Sequence, residues 1–484
     1  MGETQFLQGQ PLKKNARLDE GMENLRATAR KIFDQSLADC SVERAVARHV
    51  FMRGSTLHIG EETIDVESVQ RVRIVAVGKA ARTMLLALLQ QLTLPDACDL
   101  AGVLIAPADP QNSTQNPPRE IQVFAGGHPS PSQASVDGAR AALTMLQALP
   151  QEHAQNSLCF FLISGGASAM MELPLDPSIS LNDTASFHQA LVGSGASITE
   201  INCVRKHFSA VKGGRLAQAA GDAICRSLLL SDVPIGHEDA LGSGPTIPDS
   251  STVEDCRQIL ERYHLLSQFP ATVRRFFESA SLVETPKPHQ LHSRASVLLS
   301  AQTLAEAAAN NAAALGYLPV IDNDCDDWEY KAAASHLLDR LRTLREDHPR
   351  VCVISAGEVA VALPAVNQST GKIGVGGRNQ QFALYAATLL RPPDDAVAIL
   401  SAGSDGIDGN SPAAGAVVDR NSIAGDSLPQ VMHALQAFDA YSFLSDHGAA
   451  IVIGPSGNNL RDLRILIAAP PQFLPRIEAT EEIP

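Results

Sequence analysis

Several short segments of this 484-residue chain place a charged or hydroxylic side chain beside glycine where an apolar run ends. Gly78-Lys79-Ala80-Ala81 follows the run 72–77, which puts a lysine at the start of a helix. Backbone N–H groups and the helix dipole favour an anion there and disfavour a cation, so Lys79 is either an ordinary surface lysine or an anion ligand. Ser164-Gly165-Gly166-Ala167-Ser168 follows the most apolar run of the chain. Its glycines let backbone approach phosphate oxygens and its hydroxyls donate, although a tight strand-to-helix turn would look the same. Asp232, after the run ending at Ser231, is either a helix cap or a Mg²⁺ ligand, since Mg²⁺ takes one or two carboxylates plus substrate phosphates. The stretch 201–216 has apolar residues at helical spacing, then Gly213 and Gly214 as a stop, and carries Arg205, Lys206, Lys212 and Arg215. These are cations at a helix C-terminus or a local anion trap. In the C-terminal half, Gly357-Glu358, Gly376-Gly377-Arg378-Asn379-Gln380 and Ser404-Asp405-Gly406-Ile407-Asp408-Gly409 repeat the pattern. The Asp-Gly pairs suit turns, and the Arg378 guanidinium behind two glycines is shaped to grip carboxylate or phosphate in two contacts.

The sequence has no GxxxxGK[ST], no GxGxxG after a strand, no HExxH and no GxSxG. Glycine turns, cations for anionic substrates and carboxylates for a metal fit phosphoryl transfer, where positioning and charge neutralisation do most of the work. The elements that position these groups are legible from periodicity. Met22, Leu25, Ala29, Ile32, Phe33 and Leu37 mark an amphipathic helix, and apolar runs near 72, 158, 227, 296, 351 and 396 alternate with helical stretches. Such runs predict a parallel sheet covered on both faces, with ligands at the carboxyl ends of its strands. Residues 107–120 read as a surface loop and 281–294 as an interdomain connection, after which Thr303 and Glu306 form a capping box and Gly316 ends the helix.

Composition narrows the partners. With 38 Lys+Arg against 53 Asp+Glu, the net charge of −15 argues against nucleic acid. The longest apolar runs fall well short of a membrane span, so a soluble protein is expected. Eight scattered cysteines suit buried thiols in a reducing, cytoplasmic setting. Residues 1–21 lack the apolar core of a secretory signal and are expected to form a disordered leader.

Taken in order, GKAA at 78, GGHPSP at 126, SGGASA at 164, EINCVRKHFSAVKGGRLA at 200, SDV and GSGPT at 231–246, GGRNQ at 376, SDGIDG at 404 and GPSGNN at 454 closely resemble the class II glycerate 2-kinases, also called MOFRL proteins. The resemblance implies an α/β fold of two domains, over 22–285 and 290–475, the larger N-terminal one Rossmann-like with a mostly parallel sheet and the active site in the cleft between them. It implies transfer of the ATP γ-phosphate to the 2-hydroxyl of D-glycerate with Mg²⁺. Carried over by motif, Lys79, Asp232, Arg378 and Asp405 would be catalytic, with Asp232 and Asp405 toward Mg²⁺. Ser164, Gly165, Gly166, Ser168, Lys212, Gly213 and Gly214 would meet the nucleotide, and Glu358, Asn379 and Asn459 the substrate or cleft. The chain departs from the family at Ala167 (commonly Gly), Gln381 (usually Glu) and Phe438-Asp439-Ala440, which bears on substrate and nucleotide contacts and leaves the Lys, Asp and Arg set intact. Hydroxypyruvate reduction with NAD(P)H and ligand binding without catalysis are the other readings; the first lacks its dinucleotide fingerprint. A homodimer is left open.

Overall fold

The computed structural model describes residues 16–108, 116–149, 156–234, 236–279, 282–362, 374–423 and 428–470. Of the expected leader, residues 1–15 lie outside these, and 16–21 belong to the helix Ala16–Asp39. Of the loop expected over 107–120, residues 109–115 also lie outside. The chain forms two compact units, one of residues 37–307 with 455–461 and the other of 1–36, 308–454 and 462–484.

In the first unit β1 (Val50–Arg53), β2 (Thr56–Ile59) and β3 (Glu62–Asp65) make a small antiparallel sheet. The main sheet comprises β4 (Arg71–Val77), β5 (Asp99–Ala106), β6 (Ile121–Ala125), β7 (Ser157–Ile163), β8 (Ile224–Leu230) and β9 (Arg294–Leu299). Its order is β6-β5-β4-β7-β8-β9 and every pairing is parallel. Counted from β4 this is the doubly wound order 3-2-1-4-5-6, whose connections leave β4 in opposite directions and open a crevice at the carboxyl ends of β4 and β7. β7 is buried along its whole length, as its uninterrupted apolar run predicts.

The division differs from that expected at 285–290. The segment after 281–294 is β9, the sixth strand of this sheet, and the segment itself is packed in: Thr285 is buried against Asp249, and Asp249 N–H donates to Pro286 O. The boundary falls instead within the helix Ala301–Ala314. That helix starts differently too: Ser300 and Thr303 exchange the capping hydrogen bonds, because Ser300 stands one helical turn before Thr303, and Gln302 takes Glu306. Gly316, at φ +78°, ends the helix as expected.

The second unit holds β10 (Leu318–Ile321), β11 (Val351–Gly357), β12 (Val397–Gly403), β13 (Gly415–Asp419), β14 (Ala450–Ile451) and β15 (Asp462–Ala468) in the order β10-β11-β15-β12-β13-β14. Only β10 and β11 pair in parallel; β15 runs antiparallel between β11 and β12, so the parallel expectation fails for this unit. Helices pack on this sheet, and a strand buried on both faces is apolar whichever way it runs. Seven of the eight cysteines are buried, and no helix among the described residues is long and apolar enough to cross a membrane.

Candidate active site

In the first unit three strand ends converge. After β4, Gly78 at φ +119° turns the chain; Lys79 N–H donates to Gly165 O at 2.9 Å and Ala80 N–H to Ser164 Oγ at 3.1 Å. A side chain at Gly78 would strike Ser164, and one at Gly165 would strike the Asp232 carboxylate, so both glycines are required by close approach. Lys79, Ser164, Gly165 and Asp232 therefore sit together, and Gly166 borders both Lys79 and His128. The Lys79 side chain is exposed, with no partner among the described residues. Burial raises the Asp232 carboxyl above its ordinary value, against the opposing pull of Lys79 and Arg461. Asn459 Oδ1 accepts from Arg461 N at 3.0 Å, a turn within its own segment that fixes the backbone of Arg461.

The cations of 201–216 prove unequal. Ser197 and Glu200 form a capping box that starts the helix Ile198–Phe208 and sets the facing of its last turn. Lys206 is paired with Asp239 at 3.0 Å and Asp249 at 3.2 Å. Lys212, fully buried, donates to Glu172 Oε2 at 2.6 Å and to Met171 O, and His188 Nε2 shares the same carboxylate at 2.9 Å. Burial would raise the Glu172 carboxyl, but the Lys212 charge and the two hydrogen bonds hold it at about 2. Arg215 donates to Val283 O. Gly213 and Gly214 pack against Thr285, Lys206 and Leu291. The nucleotide role expected of Lys212, Gly213 and Gly214 thus meets a spent ammonium and filled cradles. Ser168 shares a hydrogen bond with Ser243, which donates to Asn202.

In the second unit Arg378 opens the helix Arg378–Leu389. It grips Asp462 in two contacts, Nε to Oδ2 at 2.6 Å and Nη2 to Oδ1 at 3.2 Å, and Nη1 reaches Glu358 Oε2 at 2.8 Å. Burial pulls this guanidinium down, and the two carboxylates more than offset that. The fork expected to hold a ligand is thus occupied by the protein's own acids. Asp462, at the start of β15, lies in register between Gly357 and Gly403. Asp405, whose Oδ1 accepts from Ile407 N at 3.1 Å, borders the same space beside Gly403. Asp408 accepts from the N–H groups of Asn379 (3.1 Å) and Gln380 (2.9 Å), capping the helix that begins with Arg378. A side chain at Gly377 would strike that carboxylate, which is why GGRNQ and SDGIDG work as one structure. Asn379 is buried, bonded to Asp408 and Ser401, and so positions the loop rather than meeting a substrate. Gln381 is likewise buried, donating to Leu435 O.

Sequence reasoning passes over Asp462, Asp408 and Arg461 as site residues. Two charged residues, Asp462 and Arg464, in the otherwise apolar run 462–468 are the available signal.

Burial, then the Asp462 charge, pushes the Asp408 carboxyl up to about 7. A raised folded value means that the protonated form is favoured in the fold, so this stabilisation is complete below about pH 4 and is lost as pH rises through 7. We expect the stability difference between wild type and Asp408→Asn, measured by urea unfolding in EDTA, to shrink between pH 4 and 8 by a few kcal/mol, about 1.4 for each pH unit separating the folded from the ordinary value. A constant offset would contradict this.

Two family models match the chain, a domain of unknown function (DUF4147) over residues 28–278 and the MOFRL family over 351–462. A D-glycerate 2-kinase of Thermotoga maritima is 33% identical over 92% of this chain and 98% of its own. An Agrobacterium vitis protein named, provisionally, a hydroxypyruvate reductase is 31% identical over 91% of this chain and 94% of its own. The crystal structure of a Thermotoga maritima glycerate kinase superposes with a TM-score of 0.77 at 31% identity, covering 92% of this chain and 100% of that one. With both units matched in order and the motif residues in place at the strand ends, the chain belongs to the MOFRL family of glycerate 2-kinases.

Proposed function

We propose that this chain is a glycerate 2-kinase that moves the γ-phosphate of ATP to the 2-hydroxyl of D-glycerate. The observation that carries this is the group at the β4–β7 switch point: an unpaired, exposed lysine, a glycine turn with serine hydroxyls, and a half-buried carboxylate, on a doubly wound sheet. Hydroxypyruvate reduction is disfavoured because the turn after β4 has one glycine followed by lysine instead of the three-glycine turn that cradles a dinucleotide.

Charge divides the roles. Lys79 neutralises phosphate oxygens as the bond to the leaving group loosens. Asp232, half-buried and with its carboxyl raised, orients the 2-hydroxyl and takes its proton. Asp405, beside Asp462, would be the carboxylate to hold Mg²⁺, whereas Asp232, drawn between Lys79 and Arg461, would not. Among the described residues no three acids, histidines or cysteines are grouped to hold a metal ion. When bound, Mg²⁺ offsets charge on the β- and γ-phosphates.

Asp232→Asn is expected to lower kcat by about tenfold at every Mg²⁺ concentration, since a loose transition state leaves a base little to do. Asp405→Asn should instead raise the Mg²⁺ concentration needed for half-maximal rate. Full activity of both variants at ordinary Mg²⁺ would overturn these assignments.

A further inference from the structure

Four cations lie close together in 201–216, and three are consumed within the first unit: Lys206 by Asp239 and Asp249, Lys212 by Glu172, Arg215 by a carbonyl. Arg205 is the exception. Its guanidinium makes no hydrogen bond or ion pair among the described residues, and its Nε is buried without a partner. Leaving a buried charged donor unsatisfied is costly, and such a group in a native fold calls for an explanation.

Arg205 lines a pocket of about 710 Å³ together with His128, Ser130, Gly166, Ser168 and His188. This is the size range of small-molecule sites. The pocket adjoins the strand-end group, because Gly166 forms its wall and also borders Lys79. Its nearest acid, Glu172, already serves Lys212, His188 and Leu173 N–H. Burial keeps His188 below its ordinary pKa, and burial with Lys79 does the same for His128, so both are neutral near pH 7. The buried pair of Lys212 and Glu172 with half-buried Arg205 therefore carries one excess positive charge, with donors and hydroxyls facing the same space.

We propose that this pocket is the acceptor subsite and that Arg205 binds the carboxylate of the hydroxy acid. The planar fork matches a carboxylate in two contacts, and the serine hydroxyls and neutral His128 suit the hydroxyls that follow it. A carboxylate anchored at Arg205 leaves the rest of the acid to extend past Gly166 toward Lys79 and Asp232. This deepens the kinase reading and rests on it for the identity of the acid, while the carboxylate site itself does not.

The test is titration calorimetry on the full chain with D-glycerate, D-lactate, glycerol and inorganic phosphate, beside steady-state kinetics. Wild type should bind D-glycerate and D-lactate, which keep the carboxylate, at least ~10-fold more tightly than glycerol. Arg205→Gln should raise KM for D-glycerate by roughly 10- to 100-fold and abolish the preference over glycerol, with KM for ATP changed less than about twofold. Arg205→Lys keeps charge and stem but loses the fork; it should show an intermediate KM at nearly unchanged kcat, and it carries the test should the glutamine variant unfold. A rise in KM for ATP or loss of phosphate binding with glycerate affinity retained would make this a phosphate subsite and overturn the proposal, as would unchanged constants in the folded lysine variant. Carboxylate binding lost with Arg205 in a chain that transfers no phosphate would sustain the subsite and reject the kinase reading.

Discussion

Replacing Glu172 by Gln is expected to destabilise the first unit by about 3–5 kcal/mol, the scale for removing one partner of a buried ion pair. Glu172 and Lys212 are both completely buried, and the ammonium has no carboxylate other than Glu172 within ion-pair distance among the described residues. Glutamine keeps an acceptor for Lys212 and His188 but removes the charge, with Arg205 near enough to oppose an uncompensated ammonium. The variant's escape is to deprotonate Lys212, whose pKa burial already lowers, so the loss should narrow as pH rises from 7 to 9. In wild type the sign is opposite to that of Asp408: the Glu172 value is depressed to about 2, so its contribution is complete above about pH 4.5 and is lost only as pH falls toward 2. Urea unfolding followed by probes in the first unit measures this. Glu172→Gln/Lys212→Met should recover much of the loss, because no unpaired charge remains. A single variant as stable as wild type would show that the pair is not the anchor of this region.

Lys79→Ala should lower kcat/KM by roughly 10²-fold or more with the fold intact, the magnitude for losing one preorganised electrostatic contact to a developing charge. The backbone of Lys79 is held by Gly165 O while its ammonium is unpaired among the described residues, so truncation removes a ligand contact and little packing. The turn itself is fixed by Gly78 and Ser164, whose contacts do not involve the lysine side chain. Unfolding midpoints should therefore match wild type within error while the rate falls. Near-normal turnover would remove Lys79 from the site.

The first unit is readable from sequence because its chemistry follows its strands: Lys79, Ser164 and Asp232 each leave an apolar run, and a parallel doubly wound sheet brings those ends together whatever the details. The second unit is less so. β15 enters from the end of the chain and runs antiparallel between β11 and β12, carrying Asp462 to the Arg378 guanidinium, and no local pattern announces a partner 84 residues away. The four cations of 201–216 show the same limit. Their clustering is visible, but which of them is free depends on Glu172, Asp239 and Asp249, acids supplied by other segments. Gly213 and Gly214 look like a phosphate turn in sequence and are instead close-packed junctions, which only the neighbouring side chains of Thr285 and Leu291 reveal.

Phosphorus NMR of the products tests the assigned reaction most directly. The chain incubated with D-glycerate and Mg-ATP should give ADP and 2-phosphoglycerate in equal amounts, and with hydroxypyruvate and NADH or NADPH it should leave the nicotinamide unoxidised. Formation of 3-phosphoglycerate, absence of phosphoryl transfer, or oxidation of the nicotinamide would contradict the account.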